Sequence, residues 1–155
     1  GVSMGDYDLV PAAIQKMGAE IVFHKVSIKP GKPFLFAKKG KIPIFGCPGN
    51  PVSGMIIFHL FIRPALWKMQ HWEEEAISFP AQVGQDIRLH HPMGRDFFYP
   101  VRIHEQKGNN LPLITPVEYH GSGHIFAYTR AQGIIIIPAG TTLILKGDQI
   151  RVRPL

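Results

Sequence analysis

Residues 29–53, K-P-G-K-P-F-L-F-A-K-K-G-K-I-P-I-F-G-C-P-G-N-P-V-S, constrain the fold more than any other stretch of this chain. Two short apolar runs, 34–37 and 42–46, are joined by a Lys38-Lys39-Gly40-Lys41 tip. That pattern predicts a β-hairpin, with Gly40 supplying the positive φ that a tight reversal needs. A Gly/Pro-rich turn stands on each side: Lys29-Pro30-Gly31-Lys32-Pro33 before the hairpin and Pro48-Gly49-Asn50-Pro51 after it. Two prolines stiffen the first turn, so the ammonium groups of Lys29 and Lys32 start partly positioned. Cations and free backbone N–H groups on a rigid turn suit an oxyanion. A solvated basic loop is the plainer alternative.

Around this stretch the chain divides in two. Asp8 is placed to cap a helix over 9–17, with Pro11 in its first turn and Gly18 as its terminator. Residues 1–5 read as a loop following a strand that lies outside the sequence. The β-branched run 21–28 predicts a strand, and Pro51 opens a long helix reaching about Met69, bent at Pro64. Its apolar side is expected to include Val52, Met55, Ile56, Leu60, Ala65 and Leu66. Strands alternating with helices make residues 1–72 part of an α/β domain, with the candidate ligand loops at strand ends. From His71 the pattern changes to short turn-punctuated segments. Strands are expected over 77–89, 97–106, 111–116, 134–138 and 149–152, with turns at Lys107-Gly108-Asn109-Asn110 and Lys146-Gly147-Asp148. No helical period competes there, so residues 73–155 are predicted to form a small all-β barrel or sandwich.

Composition narrows the function. A formal charge of +6 points to an anionic partner. The lysines and arginines are scattered, and no helix-turn-helix, zinc-finger or RNA-stacking signature is present, which argues against nucleic acid. No apolar run reaches membrane-spanning length, and the run 134–137 is stopped by Pro138 and Gly140. The lone cysteine, Cys47, forms no internal disulfide and fits a reducing cytoplasm. Lying before Pro48 at a strand end, it reads as a structural thiol rather than a nucleophile. His90 and His91 are adjacent and would point apart on a strand, and no zinc-ligand spacing is found among the histidines.

Three ordered motifs, Gly1-Val2-Ser3-Met4-Gly5-Asp6-Tyr7-Asp8, Lys29-Pro30-Gly31-Lys32-Pro33 and Pro48-Gly49-Asn50-Pro51-Val52-Ser53, resemble those of the molybdopterin molybdenumtransferases. This is the MoeA family, to which the E domain of gephyrin also belongs. Gly121-Ser122-Gly123-His124-Ile125 resembles a motif of that family's C-terminal domain. The resemblance covers essentially the whole chain but only the C-terminal portion of a family member. It implies the latter half of the molybdopterin-binding α/β domain over 1–72 and a barrel-like domain over 73–155.

The resemblance also implies roles. Lys29 and Lys32, with Pro33 shaping the turn, match the family's molybdate pocket, and Ser53 matches a hydroxyl donor to the same anion. Arg95, in Gly94-Arg95-Asp96-Phe97, resembles an arginine directed at that pocket; a surface arginine is the alternative. Gly1, Ser3, Gly5, Pro48, Gly49, Asn50, Pro51 and Ser122 match positions around molybdopterin and its phosphate, although some members carry the serine where this chain has Gly123. Asp8 falls at an active-site acid that helps place Mg2+, and Lys25 at an active-site lysine. Implied for the full-length parent are a cytoplasmic homodimer, molybdate and adenylylated molybdopterin as substrates, and insertion of molybdenum into the latter. A binding or scaffold module without turnover is the rival reading.

Overall fold

The computed structural model describes residues 1–2, 8–72, 78–108, 110–119 and 125–155. They form two compact units, Gly1–Trp72 and Glu73–Leu155. Among the described residues no helix is long and apolar enough to cross a membrane.

In the first unit, helix α1 (Val10–Lys16) is followed by strands β1 (Glu20–His24), β2 (Ile28–Lys29), β3 (Leu35–Lys39) and β4 (Ile42–Gly46). The central hairpin is β3–β4, paired from Leu35↔Gly46 to Lys39↔Ile42. Its two-residue tip has Gly40 at φ 58°, as the hairpin pattern requires. The carboxylate of Asp8 accepts a hydrogen bond from Val10 N at 3.1 Å, but the helix starts at Val10 with Leu9 in the cap position, so Asp8 stands two residues ahead of the helix rather than at its expected cap. Gly18, at φ 71°, ends that helix region.

β1 pairs antiparallel with the other side of β3, and its register shifts between Ile21 and Phe23. The strand expected over 21–28 therefore differs in two ways. It ends at His24, because Lys25 takes φ 108°, and it carries a bulge at Val22. Ile21 sits opposite Ala37, whereas Phe23 sits opposite Phe36, so the bulge puts two residues of equal parity on opposite faces. One face holds Leu35, Ala37, Ile21 and Ile44 against Ile14 and Val10 of α1, together with Val2. The other face holds Phe23, Phe36 and Phe45. Beyond β4, one parallel bridge joins Val2 to Pro48.

The long helix after Pro51 consists of α2 (Pro51–Ile57), a π-helical segment (Phe58–Ile62) and α3 (Arg63–Met69). Pro64 lacks an N–H and its ring crowds the carbonyl four residues back; the wider π turn just before it relieves both. The wide turn also shifts the apolar phase. Val52, Ile56 and Ile57 are buried, but Leu66 is 42% exposed despite its expected inward position.

The second unit is a closed five-stranded barrel. β5 (Phe79–Val83), β7 (Asp96–His104), β8 (Leu113–Pro116), β9 (Gly133–Ile137) and β11 (Gln149–Pro154) form the ring. β7 pairs with β8, β8 with β5, β5 with β11, β11 with β9, and β9 returns to β7. Only β5–β8 is parallel. Alternate residues point inward: Ala81 and Val83, Phe97 and Val101, Ile135 and Ile137, with Ile114 and Val152 completing the core. Closure leaves these strands no free edge within the ring.

The barrel departs from expectation at three points. The strand expected over 77–89 is two strands, β5 and β6 (Ile87–Arg88), split where Gly84 N donates to Ile114 O and β6 turns to pair with β10 (Leu143–Ile144). A short helix, α4 (Ile125–Thr129), interrupts the all-β pattern; one and a half turns are too few to show a period. His90 and His91 lie beyond the end of β6 rather than on a strand. The turns at Gly108 and Gly147 are as expected, with φ of 81° and 97°.

Asn50 closes the first turn of α2: its side-chain oxygen accepts from Ser53 N at 3.1 Å. Asn50→Ala should lower unfolding free energy by about 1 kcal/mol, as N-cap removal does. Urea denaturation measures it, with Asn50→Ser retaining most of the stability. Gly31 has φ 120°, and a Cβ there would lie 3.0 Å from Ile28 Cδ1 and 3.2 Å from Ile57 Cδ1. Gly31→Ala should therefore cost about 1–2 kcal/mol and lower the melting temperature by several degrees.

Candidate functional site

Two chain crossings build the site from backbone. Between β1 and β3 the chain makes a compact loop closed by Lys25 N to Phe34 O at 2.8 Å and Val26 N to Lys32 O at 3.0 Å. Phe34 N also donates to Lys32 O at 2.9 Å. The Lys29–Pro30 peptide is cis. Pro30 and Gly31 are buried inside this loop, which leaves Lys25 and Lys32 exposed and Lys29 half-buried. The prolines and Gly31 thus hold the backbone and turn the lysines outward.

At the other crossing, the Pro48-Gly49-Asn50-Pro51 turn links β4 to α2. Val2 N donates to Cys47 O at 2.8 Å, which binds the first residues of the chain to this turn. The approach is close: a side chain at Gly1 would collide with the Gly49 backbone. Burial pushes the Cys47 thiol above its ordinary range, so it is a poor nucleophile at neutral pH, as its position predicts.

These two turns meet at a recess of about 260 Å³. Gly1 and Val2 line it from the start of the chain, Pro33 from the end of the basic loop, Pro48, Gly49 and Asn50 from the second turn, and Ser53 from α2. Ser53 is 5% exposed and is the one buried polar residue among the described core positions. Gly1, Pro33, Pro48, Gly49, Asn50 and Ser53, separated by up to 52 positions in sequence, are therefore gathered at one place. Pro51 is exposed at the start of α2 and does not line the recess. Lys25, Lys29 and Lys32 belong to the loop whose end forms the recess wall, but they are not among its lining residues.

Asp8 lies at the start of the α1 region with its side chain 8% exposed, and its second carboxylate oxygen is 3.9 Å from His24 Nε2. His24 Nε2 is buried and makes no hydrogen bond among the described residues. Sequence reasoning did not find His24: it is sixteen positions from Asp8, and only the packing of α1 against β1 brings the two together. No cluster of three or more His, Cys, Asp or Glu side chains with metal-binding geometry occurs among the described residues. Ser3, Gly5 and Ser122 lie outside the described residues, as do Asp6 and His124. Arg95 belongs to the second unit, immediately before β7, and is half-buried there.

Both units resemble known proteins. The family model described as Probable molybdopterin binding domain matches residues 1–68. The MoeA C-terminal region (domain IV) matches residues 82–155. Molybdopterin molybdenumtransferase of Bacillus subtilis is 32% identical over 154 residues, covering 98% of this chain and 35% of its own length. The protein of the same name from Synechococcus elongatus is 31% identical over 156 residues, covering 99% of this chain and 36% of its own. The crystal structure of a molybdopterin biosynthesis MoeA protein from Pyrococcus horikosii superposes with a TM-score of 0.73 at 26% identity, over 95% of this chain and 34% of that one. The chain thus spans about a third of the length of these relatives. Two consecutive family matches, shared residues across both units and a common fold together establish that this chain belongs to the MoeA family of molybdopterin molybdenumtransferases.

Proposed function

We propose that this chain supplies the molybdate-facing loop and part of the molybdopterin pocket of an enzyme that inserts molybdenum from molybdate into adenylylated molybdopterin. The observation that carries this reading is the recess at which Pro33, Pro48, Gly49, Asn50 and Ser53 converge beside the loop of Lys25, Lys29 and Lys32. Molybdate is a compact tetrahedral dianion without apolar surface, so its binding depends on convergent cations and hydrogen-bond donors. Lys29, Lys32 and Ser53 are proposed to bind it, with Pro33 fixing the loop end. Gly1, Pro48, Gly49, Asn50 and Pro51 are proposed to border molybdopterin, because glycines and a proline-stiffened turn let a ligand approach the main chain closely.

Ser3, Gly5, Ser122 and Arg95 take their proposed roles, the first three at molybdopterin and the last at molybdate, from the resemblance alone. Lys25 is proposed as an active-site lysine that stabilises developing negative charge. Asp8 offers one carboxylate, held by Val10 N, which fits a Mg2+ ion that draws its other ligands from substrate phosphates and water. Such an ion would offset charge on the phosphoanhydride. The parent is proposed to work as a cytoplasmic homodimer; the single cysteine suits a reducing compartment.

Lys29→Ala combined with Lys32→Ala, made in the full-length parent, should reduce molybdate-dependent cofactor formation at least about a hundredfold, as loss of paired charge stabilisation does. Melting temperature should stay within a few degrees, because both side chains lie outside the packed core. Unchanged activity in the folded double variant would remove these lysines from the site. Calorimetric titration of the chain itself with molybdate, against sulfate, separates the rival reading. Molybdate-selective heat that disappears in the double variant supports a working pocket. Silence, or an equal response to sulfate, favours a binding module without turnover.

A further inference from the structure

Outside β7 and β8 the barrel of the second unit carries a cleft of about 590 Å³, to which α4 contributes a wall. Alternation along β7 sends Val101 and Ile103 toward the barrel core, so Arg102 and His104 face outward. Arg102 stands opposite Thr115 of β8 in the register, and His104 Nε2 lies 2.9 Å from Thr115 Oγ1. That contact holds the imidazole against β8. The chain leaving α4 is tied to β7 on both sides of Arg102: Gln132 N donates to Val101 O at 3.0 Å, and Ile103 N donates to Gln132 Oε1 at 2.9 Å. The tie brings Arg130, two residues before Gln132, to the same cleft that Arg102 lines.

Neither guanidinium makes an ion pair or hydrogen bond with another described residue. Glu118 is the one acid among the described lining residues, and it is exposed, where solvent screening weakens its opposition. The sequence between Tyr119 and α4, His120-Gly121-Ser122-Gly123-His124, adds no acid. Helix α4 sets apolar surface beside the charges: Ala127 is buried, whereas Phe126 is 65% exposed. We propose that this cleft binds a small aromatic phosphate monoester, with its phosphate at Arg102 and Arg130 and its ring against Phe126. A planar guanidinium matches phosphate oxygens two at a time, and a monoester at pH 7 carries about −1.5 to −2 charge, enough to engage both arginines. A monocarboxylate would leave one arginine unmatched. A ring on Phe126 gains offset or edge contacts that inorganic phosphate lacks. The volume suits a small organic ligand. The proposal does not depend on the molybdate reading, since every lining residue of the cleft belongs to the second unit.

The test is nitrogen–proton correlation NMR of the full chain titrated with phenyl phosphate, inorganic phosphate and phenol. Phenyl phosphate should shift the amide signals of Arg102, Thr115 and Phe126 saturably, and bind at least about threefold more tightly than inorganic phosphate. Phenol should leave those signals in place. Arg102→Gln combined with Arg130→Gln should weaken phenyl phosphate at least about tenfold, and Phe126→Ala should bring it down to the affinity of inorganic phosphate. All three side chains are exposed, and unchanged signals from the barrel core confirm that the variants fold. Absence of shifts, equal binding of phenyl phosphate and inorganic phosphate, or undiminished binding in the double arginine variant would overturn the proposal. So would shifts confined to the Lys29–Lys32 loop and Asn50, which would assign the anion to the first unit. Binding shown by this chain but lost in the full-length parent would make a segment of the parent the occupant and overturn it too.

Discussion

The position of β3 between β1 and β4 is the constraint on which the first unit depends. In a sheet with different layers on its two faces, a slip of one residue moves every side chain to the wrong layer. Here Leu35 and Ala37 must face α1, and both are fully buried. Leu35 lies opposite Gly46, where a Cβ would meet Leu35 Cβ at 3.0 Å and come still closer to Val2 Cγ2. That fit fixes the register at the end of the hairpin where both proline turns begin. The basic loop enters β3 at Phe34 and the Pro48 turn leaves β4 at Gly46. Once Leu35 and Gly46 are partners, Pro33 and Pro48 must be neighbours.

The two units answer the problem of sheet edges differently. The barrel removes edges by pairing β9 back to β7, and the fully buried Ile135 and Val101 lie inside that closure. Each fully buried aliphatic side chain contributes about 1.5–3 kcal/mol relative to exposure, which lets a ring of short strands stand without disulfides. The first unit has a three-stranded sheet, and on the outer side of β4 the described pairing is a single bridge to Val2. Its cohesion rests on faces rather than on closure.

The recess is chiefly a main-chain construction. Gly1, Gly49 and Pro48 bring backbone close to backbone, and Asn50 spends its side chain on Ser53 N. Of its lining side chains only Ser53 is a buried polar residue. This division explains why the motifs are rich in glycine and proline. They specify shape.

Much of this was legible in the sequence. The hairpin, its Gly40 reversal, both proline turns and the change of character near His71 follow from local chemistry, since turn residues and alternation act over a few positions. The family resemblance likewise grouped Pro33, Pro48, Gly49, Asn50 and Ser53, which line one recess. Other features needed the tertiary structure because their causes are non-local. The bulge at Val22 is set by what Ile21 and Phe23 must face, and the π turn by the combination of Pro64 with continuous packing of the helix. The splitting of β5 from β6 is set by distant β8 and β10. The pairing of Asp8 with His24, and the convergence of two turns on one recess, depend on strand register, which no local window of sequence contains. Sequence determined which loops could hold an anion; only the packing of α1 and β3 decided which residues of those loops meet.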